Sequence, residues 1–84
     1  MSKTNILIVE DESIVAKDIA QSLKKLGYNV IETASSGEAA VIIAEEKKPD
    51  LVLMDIMLKG EMSGIDAANI IHEKSNIPVI FLTA

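Results

Sequence analysis

The stretch ILIVEDE, residues 6–12, carries the strongest indication of the fold. Its first four residues form an unbroken apolar run rich in β-branched side chains, and its last three residues are all acidic. An apolar run of this kind is typical of a strand that is buried on both faces of a parallel sheet. These seven residues therefore predict a central strand that ends in carboxylates.

Outward from this stretch, short apolar runs alternate with segments of helical periodicity. Further strands are predicted at 28–33, 51–54 and 77–82, and helices at 12–26, 38–47 and 65–73. The order is βαβαβαβ, which predicts an α/β fold with one parallel sheet, helices on both faces and right-handed crossovers. In the second helix, Ile42 is expected to point inward together with the alanines.

Polar residues near the predicted helix ends indicate how the helices begin and stop. Asp11 or Ser13 is expected to cap the first helix, and Gly27 stands where a helix commonly ends. Ser35 and Glu38 have the three-residue spacing of a capping box, which predicts the start of the second helix.

Composition narrows the class of protein. A chain of 84 residues with 49% apolar residues accommodates one small domain. It has no cysteine, so disulfides, zinc–thiolate sites and thiol nucleophiles are excluded, and a reducing, cytoplasmic compartment is expected. Thirteen acids against eight lysines and no arginine give a net charge of −5, which argues against binding to nucleic acid or to anionic membranes. No signal peptide or transmembrane run is apparent.

The carboxyl ends of parallel strands meet at one edge of a sheet, where such folds bind their ligands. If the first and third strands are neighbours, Glu10, Asp11 and Asp55 converge at that edge. Clustered carboxylates favour a hard cation such as Mg²⁺, and a carboxylate there can also attack a phosphoryl group. Thr83, after the fourth strand, could donate its hydroxyl to a phosphoryl oxygen. Taken singly, Asp11 could be a helix cap, Asp55 a turn residue and Thr83 an ordinary strand residue.

Four motifs in order and spacing resemble the receiver domain of two-component response regulators. The resemblance covers the whole chain and is carried by ILIVEDE (6–12), LVLMDIML (51–58), MSGIDAA (62–68) and PVIFLTA (78–84). It implies a flavodoxin-like (CheY-like) fold, and a domain that accepts a phosphoryl group from a sensor histidine kinase or phosphotransfer protein. Such a domain is a signalling switch more than an enzyme.

The resemblance also implies a role for individual residues. Asp55 stands at the phosphoacceptor position, and Glu10 and Asp11 stand at the two acidic positions that hold Mg²⁺. The backbone carbonyl of Met57 would complete the metal site. Thr83 matches the switch hydroxyl that turns inward toward the phosphoryl group.

The chain departs from the family pattern in the loop before Gly64 and at its C-terminus. Lys59 stands where most receivers have proline, and the loop up to Gly64 is one residue longer than usual. Family members also continue with a helix, a fifth strand that carries a lysine, and a last helix. Residues 1–84 are therefore expected to be a single receiver domain that is incomplete at its C-terminus. The alternative function is a phosphorylation-impaired interaction module that forms a homodimer through its exposed fourth strand.

Overall fold

A computed structural model describes residues 3–82, which form one parallel four-stranded sheet and three helices. In chain order the elements are β1 (Asn5–Val9), α1 (Ser13–Lys25), β2 (Asn29–Ala34), α2 (Gly37–Lys47), β3 (Leu51–Asp55), α3 (Gly64–Ser75) and β4 (Val79–Leu82). The strand order is β2-β1-β3-β4, and each neighbouring pair is parallel. This arrangement confirms the predicted α/β, flavodoxin-like fold class.

The core lies on both faces of the sheet, because β1 sends alternate side chains to opposite sides. Ile6 and Ile8 pack toward α1, whereas Leu7 and Val9 pack toward α2 and α3. All four side chains are at most 1% exposed. The unbroken apolar run of β1 is therefore explained by helices that cover both faces of this central strand.

Small side chains bring the helices close to the sheet. Ala16 and Ala20 are the buried residues of α1, and Ala40 and Ala44 are buried in α2. Ile42 is 56% exposed, so the prediction that it points inward is wrong. The alanines leave space for the backbone of α2 to approach the strands, and that packing turns Ile42 to the outer face of the helix.

The β4 strand forms one edge of the described sheet. It pairs only with β3, and Met54 lies opposite Phe81 and Asp55 opposite Leu82. Ile80 is 52% exposed and Phe81 is 38% exposed. This edge therefore presents apolar side chains beside unpaired backbone groups. None of the three helices within residues 3–82 is long and apolar enough to cross a bilayer.

The helix ends correct two predictions and confirm one. Glu12 precedes α1 without a side-chain cap hydrogen bond, so neither Asp11 nor Ser13 caps that helix. Ser36, not Ser35, caps α2, and its hydroxyl accepts a hydrogen bond from the N–H three residues later at 3.1 Å. Gly27 follows α1 with a φ of +96°, as expected for a glycine that ends a helix.

The serine pair before α2 offers a matched test of this cap. We expect Ser36→Ala to lower the free energy of unfolding by about 1 kcal/mol, because a helical N–H loses its acceptor. Ser35→Ala, at the exposed neighbouring position, is expected to change it by less than about 0.5 kcal/mol. Urea denaturation of both variants measures the difference, and equal losses would contradict the assignment.

Candidate functional site

The sheet brings three carboxylates together at the carboxyl ends of β1 and β3. These strands are neighbours, and Val9 lies opposite Met54. The residues that follow this pair, Glu10 and Asp55, therefore lie side by side at the same edge of the sheet. One carboxylate oxygen from each of Glu10, Asp11 and Asp55 lies within 4.8 Å of the other two. The convergence predicted from the strand ends is therefore present in the fold.

The loop between β3 and α3, residues 56–63, orients two of these acids through its backbone. The N–H of Met57 donates to Asp55 Oδ1 at 3.0 Å, and the N–H of Lys59 donates to Asp11 Oδ2 at 3.2 Å. The second bond explains why Asp11 does not cap α1, because its carboxylate is turned toward the loop. Both acids retain free lone pairs for a further ligand.

Electrostatics at the site favour a proton or a cation. Glu10 is only 8% exposed. Burial raises the pKa of its carboxyl from 4.5 to about 7, with a hydrogen bond to Asp55 and the negative charges of Asp55, Asp11 and Glu12 acting in the same direction. Near neutral pH the buried carboxyl therefore holds a proton for part of the time, and a cation among the three acids would replace it.

The raised pKa predicts how stability depends on pH in the absence of metal. Because the pKa of Glu10 in the folded state is about 7 against an ordinary 4.5, the folded state binds the proton more tightly. The free energy of unfolding should therefore rise as pH falls through this window from about pH 8 to about pH 5.

Urea denaturation in a chelating buffer measures this dependence. Glu10→Gln should flatten the rise, whereas Glu46→Gln, on the exposed face of α2, should leave it unchanged. An equal pH slope in the wild type and in Glu10→Gln would contradict the prediction.

Gly64 permits the close approach of α3 to the end of β3. A Cβ at this first residue of α3 would collide with the backbone carbonyl oxygen of Asp55 and lie 3.1 Å from the Cα of Ile56. From the sequence alone, Gly64 is expected only to end the loop before the third helix. The observed capping box of Ser63 and Asp66 is a signal in the sequence that could have placed the helix start there.

The remaining predicted site residues have different outcomes. Met57 borders the cavity beside the carboxylates, and the role of its carbonyl as a metal ligand stays a prediction. Thr83 lies outside the described residues, so its role also stays a prediction. Leu82, the register partner of Asp55, lines the same cavity.

This cavity has a volume of about 440 Å³. Its lining combines the carboxylates with the apolar side chains of Val15, Ile19 and Leu82. Three carboxylates with free oxygens form the hard donor set that suits Mg²⁺, which normally keeps several waters and takes one or two carboxylates plus phosphate oxygens. The residues present therefore fit this metal.

The fold and the site together define a class: a parallel α/β domain with an acidic, cation-compatible pocket at the carboxyl edge of its sheet. The family model for the response regulator receiver domain matches residues 6–84, and the chain belongs to that family. The resemblance recognised from the four sequence motifs is thereby confirmed.

Similar proteins agree with this family. The chain is 46% identical over 82 residues to the phyllosphere-induced regulator PhyR of Methylorubrum extorquens, covering 96% of this chain and 31% of PhyR. It is 43% identical over 79 residues to the transcriptional regulatory protein PdtaR of Mycobacterium tuberculosis, covering 94% of this chain and 38% of PdtaR.

A solved structure shows the same fold. The signal receiver domain of a modulated diguanylate cyclase from Desulfovibrio desulfuricans G20 superposes with a TM-score of 0.92 at 38% identity, covering 96% of this chain and 65% of that one. The chain spans about a third of the length of the two curated relatives. Membership of the family places the chain in two-component signalling.

Proposed function

We propose that this chain accepts a phosphoryl group on Asp55 from a phosphohistidine of a sensor histidine kinase or phosphotransfer protein. Glu10, Asp11 and Asp55, together with the backbone carbonyl of Met57, would hold the Mg²⁺ that assists the transfer. The observation that carries this proposal is the meeting of three carboxylate oxygens within 4.8 Å at the end of the acceptor strand. In this role the domain is a cytoplasmic signalling switch and not a turnover enzyme.

Asp55 has the chemistry of a nucleophile in this position. One of its oxygens accepts the N–H of Met57, which fixes the plane of the carboxylate at the cavity. In the transfer, a carboxylate oxygen attacks phosphorus, a P–O bond forms, and the P–N bond to the donor histidine breaks, so that the electron pair leaves with the imidazole. Bound Mg²⁺ supplies positive charge to the phosphoryl oxygens and to the carboxylates.

Intact-mass measurement tests the proposal. Incubation with acetyl phosphate and Mg²⁺ should add a single phosphoryl group to the wild type and none to Asp55→Asn. Asp18→Asn removes an exposed acid on α1 and should still be modified. The proposal is wrong if the wild type gains no adduct, or if Asp55→Asn gains the same adduct.

A second candidate function is an interaction module that keeps the fold and pairs through β4. It is favoured by the exposed apolar edge, where Ile80 is 52% exposed and Phe81 is 38% exposed. Strand edges with unpaired backbone groups are templates for pairing with another chain. A second copy of this chain could add its own β4 and bury both edges around a two-fold axis.

Sedimentation velocity tests this candidate. A homodimer that pairs through β4 should dissociate in Phe81→Lys, since a charge at the edge opposes pairing. Ile42→Lys, which places the same charge on the exposed face of α2, should leave the dimer intact. A wild type that stays monomeric at high concentration would rule this function out.

A further inference from the structure

One basic residue lines the cavity that holds the three carboxylates. Among the described residues around this cavity, Lys59 alone carries a positive side chain, and it shares the cavity lining with Glu10, Asp11, Glu12 and Asp55. A phosphoryl group at Asp55 would bring further negative charge into this acidic surrounding. Any cation that the chain itself contributes there would oppose that repulsion.

The backbone of Lys59 is fixed at the rim of the cavity. Its N–H donates to Asp11 Oδ2 at 3.2 Å, and the carboxylate of Asp11 belongs to the cluster whose oxygens lie within 4.8 Å of one another. Two residues earlier, the backbone N–H of Met57 likewise donates a hydrogen bond to the carboxylate of Asp55. The start of the Lys59 side chain is therefore held close to the acceptor.

Among the residues that the structure describes, no ion pair engages the ammonium group of Lys59. Within residues 3–82 the ion pairs are Lys47 with Glu32 and Lys74 with Glu45, and neither involves Lys59. A lysine carries a compact charge with three donors on a flexible four-carbon stem. The group can therefore turn into the cavity without first breaking an ion pair.

We infer that Lys59 Nζ contacts the phosphoryl group on Asp55 and stabilises its charge during and after transfer. This inference rests on the proposed function, and names a residue of that same site. Lys59 forms no covalent bond in this step. Its ammonium donates hydrogen bonds to the phosphoryl oxygens, on which negative charge is spread during transfer.

Side-chain substitution separates this role from the anchoring of the loop. Lys59→Met keeps the backbone N–H that binds Asp11, so the loop anchor is retained while the ammonium is lost. Lys59→Arg keeps a positive charge and donors at nearly the same reach. Lys24→Met removes an exposed lysine from the last turn of α1, away from the cavity, and serves as the matched control.

The experiment measures two quantities on all four proteins. The first is the rate of phosphoryl adduct formation from acetyl phosphate with Mg²⁺, followed by intact mass. The second is the affinity for beryllofluoride, a non-covalent analogue of the phosphoryl group, followed by amide chemical shifts. We expect Lys59→Met to lower both by about tenfold or more, which is less than the roughly 100- to 1000-fold cost of losing a donor from a water-excluded site, because Lys59 is exposed. Lys59→Arg should recover most of each loss, and Lys24→Met should match the wild type.

The outcomes distinguish this inference from the proposed function. A wild type that gains no adduct would reject the proposed function itself. A wild type that gains the adduct, with Lys59→Met within twofold of it in both rate and affinity, would overturn the role of Lys59 and leave the acceptor role of Asp55 standing. Failure of Lys59→Arg to recover the affinity would also overturn it. Matching amide spectra of the free variants would exclude misfolding as the cause of a loss.

Discussion

Gly64→Ala is expected to lower the free energy of unfolding by about 3 kcal/mol, at the upper end of the usual cost of overpacking. The added Cβ would collide with the backbone carbonyl of Asp55, and the backbone there cannot move aside without shifting the end of β3. A shift of about 1 Å in the carboxylate of Asp55, the proposed acceptor, can lower the rate of phosphoryl transfer on the order of 100-fold. We therefore expect slower adduct formation as well, measured by urea denaturation and intact mass.

Gly37→Ala is a matched control for this substitution. Gly37 is the first residue of α2, as Gly64 is of α3, and its added Cβ would also be crowded. The two nearest atoms there belong to the side chain of Met62, at 3.0 and 3.1 Å, which is flexible and can rotate away. The third is the Cβ of Ala67 at 3.2 Å, a contact that a displacement of a few tenths of an ångström relieves. We expect a change of less than about 1 kcal/mol, offset in part by the better helix propensity of alanine. Equal losses in the two variants would contradict the role assigned to Gly64.

Leu7→Ala is expected to cost about 3 to 4 kcal/mol, because it removes buried methyl groups and leaves a cavity under α2 and α3. Leu7 is 0% exposed and lies in β1, the strand that leads to Glu10 and Asp11. Small domains have total stabilities on the order of 10 kcal/mol or less, so this loss would leave little reserve. The measurement is the midpoint of urea denaturation.

The same chemical change at an exposed site provides the comparison. Leu26 is the C-cap residue that follows α1 and is 73% exposed, so Leu26→Ala should alter the free energy of unfolding by less than about 0.5 kcal/mol. Similar losses at the two positions would show that the buried layer between β1 and the helices α2 and α3 contributes less than the packing indicates.

The alternation of strands and helices could be predicted because each segment has the hydrophobic pattern of its own secondary structure. The run before Glu10 predicted a strand buried on both faces, and β1 is covered by helices on both sides. The acidic edge could also be predicted, since parallel strands place their carboxyl ends together. The alternation depends on residue order alone, whereas the meeting of the three acids also requires that β1 and β3 be neighbours, as the structure shows.

The helix faces and caps could not be predicted with the same success. Ile42 has the periodicity of an inward residue, yet Ala40 and Ala44 contact the sheet and leave Ile42 outside. Asp11 has the sequence position of a cap, yet its carboxylate accepts the N–H of Lys59, 48 residues away in the chain. In both cases a contact distant in sequence outweighed a local preference.

The sequence by itself determined the fold class, the family and the identity of the acids at the sheet edge, because the hydrophobic period of each segment and the alternation of strands and helices can be read along the chain. Only the tertiary structure decided how those acids are used. The packing of the β3–α3 loop orients the carboxylates of Asp55 and Asp11, burial raises the pKa of Glu10 to about 7, and the approach of α3 leaves no room for a Cβ at Gly64. Desolvation and close contact depend on distances between remote segments, which no local pattern records.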